Sequence, residues 1–128
     1  MNNGGTISDE VRRYIVAAVP SIPFLEAVLL FRSGVSPEWT VERLAQRLYI
    51  GAPQARDLID QLQAAGIVTQ ASSDPSYRYA PQKAELAVLL DQLESCYRAS
   101  LLEVTHLIHS KSTRQAHRLA EAFKFRKD

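Results

Sequence analysis

The sequence predicts a mainly α-helical protein that carries one small β-hairpin and continues into a long C-terminal helix. Three observations lead there. Apolar residues recur at helical spacing through most of the chain. Between Ile67 and Tyr79 that period gives way to alternation around a turn. Beyond Pro81 an apolar stripe repeats every three or four residues as far as Ile108.

With 128 residues, 46% of them hydrophobic and 23% charged, the chain suits one well-cored domain with an appendage and excludes a mostly disordered protein. A net charge of +1 provides no global pull toward nucleic acid or an anionic membrane. The charge is uneven, however: His109 to Lys127 holds six basic residues and one acidic residue, with two histidines. The lone Cys96 cannot form an internal disulfide, and the first six residues lack the basic start and apolar core of a secretory signal. The longest nearly apolar stretch, Phe24 to Phe31, is far short of the roughly 20 residues that cross a bilayer. The expected setting is the cytoplasm, with no membrane contact.

Residues 1–23 read as a polar tail and a short helix. Ser8 caps it, Asp9 and Glu10 favour its positive end, and Val11, Tyr14, Ile15 and Ala18 share a face. Pro20 and Pro23 stop that helix and open the next. Phe24 to Arg32 is apolar almost all round, as a helix covered on several sides would be, and Gly34 ends it. Thr40 caps Val41 to Leu48, whose stripe is Val41, Leu44, Ala45 and Leu48. Tyr49-Ile50-Gly51 makes a tight turn. Pro53 then sits in the first turn of a helix that runs to Ala65, with Gly66 beyond its end. Ile67-Val68-Thr69 and Tyr77-Arg78-Tyr79 read as strands joined by a Ser/Asp/Pro turn. That order, helix, helix, turn, helix, hairpin, predicts a winged helix-turn-helix over residues 24–80.

Residues 81–110 read as one long helix, about Lys83 to Ser110. Its stripe is Leu86, Leu90, Leu93, Tyr97, Leu101, Val104 and Ile108. At about 40 Å it exceeds what one small domain buries against itself, so a homodimer through these seven residues is expected. The stripe folding back on the chain's own first helix is the competing reading. Residues 111–128 complete the chain with a capping box, Ser112 to Gln115, and a short basic helix and tail.

The runs Thr40 to Gly51 and Asp57 to Val68, above all Leu62-Gln-Ala-Ala-Gly66-Ile67-Val68, resemble the bacterial MarR-like winged-helix regulators. The long helix after the hairpin is similar to that of PadR-type regulators, which dimerise through a C-terminal helix. The resemblance covers about 45 residues well and implies a dimeric regulator bound to double-stranded DNA. It names no small-molecule effector.

With Ala55, Leu58, Ile59 and Leu62 turned inward, Pro53, Asp57, Asp60 and Ala64 face out, flanked by Gln54 and Gln61 on one side and Arg56 and Gln63 on the other. In a helix-turn-helix this face enters the major groove. The expected DNA contacts are therefore Pro53, Gln54, Arg56, Asp57 and Gln61, with Arg43 and Arg47 on the preceding helix and Arg78 on the hairpin. The face carries one arginine and two aspartates, a poor electrostatic background for phosphate. Glutamine can still bridge an adenine edge, and aspartate can accept from a cytosine amino group. The basic segment, Lys111, Arg114, Arg118, Lys124, Arg126 and Lys127, offers further contacts to phosphate or to a partner protein. An alternative function is therefore a winged-helix interaction module that has lost DNA reading and docks through this segment.

Catalysis, a cofactor and a metal are not expected. Glu103 and His106 stand at a spacing used in di-iron bundles, but the further carboxylates are missing. His106 and His109 are too few for zinc, and Cys96 reads as a packing residue.

Overall fold

The computed structural model describes residues 7–34, 36–71 and 75–110. They are mainly helical with one two-stranded antiparallel sheet. The helices are α1 (Asp9–Ala18), α2 (Ile22–Ser33), α3 (Val41–Leu48), α4 (Ala52–Ala64) and α5 (Ala84–Ala99). Residues 101–110 are helical again and are labelled α6. The strands are β1 (Val68–Gln70) and β2 (Tyr77–Tyr79), with Val68 opposite Tyr79 and Gln70 opposite Tyr77. No single helix among the described residues is long and apolar enough to cross a membrane.

Two compact units divide the chain. One is Pro23–Glu94; the described part of the other is residues 7–22 and 95–110. In the second unit Ser8 caps α1, accepting from the Val11 N–H at 3.2 Å, and Ile7, Val11, Ile15, Val19, Val104 and Ile108 are buried. In the first unit α2 buries Phe24, Leu25, Ala27, Val28 and Phe31, most of its circumference, as its uniform apolarity requires. That unit starts at Pro23 and runs past Ala80 into α5. A charge clamp helps to hold that extension. Arg32 Nε donates to Asp91 Oδ1 at 2.8 Å and Arg32 Nη1 to Glu94 Oε1, tying the end of α2 to α5.

The expected unbroken helix from Lys83 to Ser110 needs correction. It starts at Ala84 and leaves helical geometry at Ser100. Ser100 N donates to Cys96 O at 2.7 Å as the last bond of α5, and Val104 N donates to Ser100 O at 3.0 Å as the first of α6, so the helix is interrupted at this residue. Ser100 is a buried serine, a residue whose hydroxyl competes with the backbone for helical hydrogen bonds.

The expected apolar stripe is also divided between the two units. Leu86, Leu90 and Leu93 belong to the first unit, and Tyr97, Leu101, Val104 and Ile108 to the second. Leu90, Leu93, Val104 and Ile108 are already covered within one chain, while Leu86 and Tyr97 are half-buried. Of the seven only Leu101 is exposed, at 50%, beside Leu102 at 82%. A free seam of seven residues is therefore not what the chain presents. The segment from Lys111 to Asp128, including every basic residue proposed there, lies outside the described residues.

Candidate nucleic-acid interface

The candidate surface is built by α3, the turn after it, α4 and the hairpin, all within Pro23–Glu94. Thr40 starts α3 by accepting from the Arg43 N–H at 3.1 Å, and Val41, Leu44 and Ala45 turn inward. Tyr49 ends the helix in the left-handed region (φ 59°, ψ 45°), its N–H donating to the Ala45 and Gln46 carbonyls. That conformation costs a non-glycine residue about 1 kcal/mol. It reverses the chain within two residues, so that Gly51 caps α4 directly.

Gly51 has no side chain to cap with, and Gln54 supplies the polar group instead: Gln54 Oε1 accepts from the Gly51 N–H at 3.1 Å. Pro53 sits in the first turn, where its missing N–H is no loss. Ala55, Leu58, Ile59 and Leu62 are buried as the spacing predicts. Gly66 ends the helix at φ 77°, and a Cβ there would come within 3.0 Å of the Gln82 side chain. Gln82 N donates to Gly66 O at 2.9 Å and Ala80 N to Ile67 O at 2.9 Å, so the chain leaving β2 packs across the end of α4.

A third extended segment lies on the far side of β2. Trp39 and Tyr77 exchange both backbone hydrogen bonds at 2.8 Å. The indole is buried, 5.9 Å from the Phe31 ring, with the Arg43 guanidinium 5.2 Å above it. Arg43 Nη1 also donates to Ser36 Oγ at 2.8 Å, Ser36 Oγ donates to Glu38 O at 2.7 Å, and Ser76 Oγ donates to Glu38 Oε1 at 2.9 Å. This polar chain borders a shallow recess of about 360 Å³. Sequence reasoning missed the pairing. Its signals were a lone tryptophan one residue before a helix cap and an alternating partner strand at Tyr77.

The expected DNA-contacting residues thus fall into two groups. Arg43 is engaged with Trp39 and Ser36, and the Gln54 carbonyl oxygen is engaged as a cap. Pro53, Arg56, Asp57 and Gln61 are exposed on α4, Arg47 on α3 and Arg78 on β2, and Asp60, which was not among the expected contacts, is exposed beside them on α4. None of those charged groups has an ion-pair partner among the described residues. Among these described residues, Arg47, Arg56 and Arg78 are free cations and Asp57 and Asp60 free anions.

Among the described residues of this unit, Arg32 and Tyr79 depart from ordinary titration. The Asp91 hydrogen bond holds Arg32 more firmly protonated than usual; burial opposes this and the Glu94 charge adds to it. Burial pushes the Tyr79 hydroxyl up, against the opposing effect of Arg32. Tyr79 OH and Trp39 Nε1 are buried and have no hydrogen-bond partner among the described residues. Among the described residues no three His, Cys, Asp or Glu side chains gather to hold a metal ion. The half-buried Cys96 and the pair Ser110 Oγ and His106 Nε2, 3.4 Å apart, are separate surface features.

Comparison with known families, with curated proteins and with solved structures finds no match to this chain.

Proposed function

We propose that this chain is a winged helix-turn-helix regulator of the MarR-like or PadR-like kind, which docks α4 in the major groove of double-stranded DNA and acts as a homodimer. The observation that carries the reading is the contrast between the two sides of α4. Its inner side is fixed by four buried residues, the Gly51–Gln54 cap and the Gly66 ending, while its outer side bears polar groups that bond to nothing else in the described chain. A rigid helix with an unspent polar face fits groove reading. The order of elements supports it: α2, the Trp39 segment, α3, a two-residue turn, α4, then a hairpin carrying an exposed Arg78. In this reading Arg47, Arg56 and Arg78 meet phosphates and Gln61 meets a base edge. Pairing uses apolar side chains that one copy leaves uncovered, chiefly Leu101 and Leu102.

Selection of genomic fragments with the purified protein tests the proposal. It predicts a recovered duplex with two half-sites, one per protomer, and sedimentation as a dimer. Recovery of no fragment above background would reject it.

A second reading has its own observation. Asp57 and Asp60 stand exposed and unpaired where phosphate would lie close. A partner protein with a basic surface would meet this face with better charge complementarity. Replacing both aspartates by asparagine separates the two, since it strengthens a DNA complex and weakens a complex with a basic partner.

A further inference from the structure

Among the described residues, Tyr49 is the one non-glycine whose backbone lies in the left-handed region. Gly34 and Gly66 occupy the same region without steric penalty, and a glycine or asparagine at position 49 would close α3 as well with less strain. The fold's requirement there is met by the backbone alone, through the N–H bonds of Tyr49 and of Ile50, which donates to Ala45 O at 3.0 Å. The side chain adds nothing to it: the residue is 94% exposed and its ring makes no hydrogen bond or ring contact with the described chain. A large aromatic kept in a strained conformation and turned into solvent is placed for a contact outside the chain.

The surroundings indicate which kind of contact. Arg47 lies two residues before Tyr49 and Arg56 lies on the outer surface of the following helix, both exposed and without carboxylate partners among the described residues. Cations of this kind accompany contact with phosphate. A tyrosine joins an apolar ring to a polar tip, which suits a deoxyribose beside a phosphate oxygen.

Building on the DNA reading above, we propose that Tyr49 is a positioning residue on the DNA backbone. Its ring packs on a deoxyribose and its hydroxyl donates to a phosphate, setting the depth and register of α4 without reading sequence. The contact is the same on any B-form duplex.

The test compares wild type, Tyr49→Phe and Tyr49→Gly on a duplex recovered by genomic selection and on a scrambled duplex of equal length, with melting temperatures alongside. Tyr49→Gly relieves the strain and is expected to melt a few degrees higher. It is also expected to bind both duplexes about tenfold more weakly. Tyr49→Phe should bind both about threefold more weakly, with the melting temperature unchanged. That opposite movement of stability and affinity is what a merely structural tyrosine would not produce. Wild-type affinity in Tyr49→Gly overturns the inference and leaves the DNA reading standing. A loss confined to the selected duplex, or one that accompanies a lower melting temperature, also overturns it. Failure of wild type to bind either duplex overturns both.

Discussion

Arg32 and Arg43 contrast with Arg47, Arg56 and Arg78, although all five belong to the same compact unit. The side chains of the first two have partners within the unit: Arg32 on Asp91 and Glu94 of α5, and the exposed Arg43 over Trp39 and on Ser36. The side chains of the other three, also exposed, have no hydrogen-bond, ion-pair or ring partner among the described residues. One residue type thus holds elements together in one region and is left available in another. Composition treats these arginines alike; only the long-range contacts separate structure from candidate function. The division implies that changes in the first group lower stability, whereas changes in the second leave stability intact and alter binding.

The largest effect is expected at Trp39, over which Arg43 lies. Trp39→Ala removes the Phe31 contact and the support beneath Arg43, and truncating a buried tryptophan costs about 3–5 kcal/mol. Thermal unfolding followed by circular dichroism should show a midpoint lower by roughly 10 °C or more. A shift under 2 or 3 °C, small on the usual scale for such domains, would mean that the indole's contacts with Phe31 and Arg43 do not hold this unit together.

Arg32→Ala comes next. It leaves Asp91 and Glu94 three residues apart on α5 without their cation. Because Asp91 is 60% exposed, solvent screening limits the loss to about 1 kcal/mol. The difference from wild type should shrink in 1 M salt, where the screening length is about 3 Å. A loss of the same size at all salt concentrations would point to packing of the arginine stem instead.

Arg56→Ala is the counterpart on the free side. It should leave the melting temperature within about 1 °C of wild type, as a surface change does. It should weaken binding to selected and unrelated duplexes alike and lower the salt slope by about one. A matching fall in stability would erase the distinction between the two groups.

The smallest effect is at Tyr79, whose buried hydroxyl lacks a hydrogen-bond partner among the described residues. Tyr79→Phe removes an unsatisfied polar group and should be neutral or stabilising by up to about 1 kcal/mol. The sign with pH follows from burial. The folded state holds the phenolic proton more tightly than the unfolded state, so the stability linked to it is complete below the ordinary value of 10.0 and declines as pH rises above it. Unfolding curves in that alkaline range should slope less steeply for Tyr79→Phe than for wild type.

Much of the first unit was legible because short-range patterns decide it. Pro53 and Gly66 bracket α4, Thr40 caps α3, and the uniform apolarity of α2 matches its near-complete burial. The inward set Ala55, Leu58, Ile59 and Leu62 follows from helical spacing alone. What escaped depends on distant partners. Nothing local marks Arg32 for residues 59 and 62 positions away, or Trp39 for Tyr77. Arg43 looked as free as Arg47 until the Trp39 ring appeared beneath it. In α5 and α6 the heptad-like spacing was real, but spacing does not say whether a stripe is covered by a second chain or by its own. Leu90, Leu93, Val104 and Ile108 are covered within one chain, and the helix is interrupted at Ser100. Tyr49 sat in a turn that was expected, yet the left-handed position there went to a tyrosine rather than to the nearby Gly51.

The central claim, that the outer side of α4 and the free arginines around it meet DNA, is tested most directly by one titration. Binding of wild type and of Asp57→Asn/Asp60→Asn to a duplex recovered by genomic selection is measured by fluorescence anisotropy from low to physiological salt. The account predicts saturable binding whose logarithm falls linearly with the logarithm of salt concentration, and about tenfold tighter binding by the double variant at low salt. Equal affinity for the two proteins, or binding indifferent to salt, would contradict it.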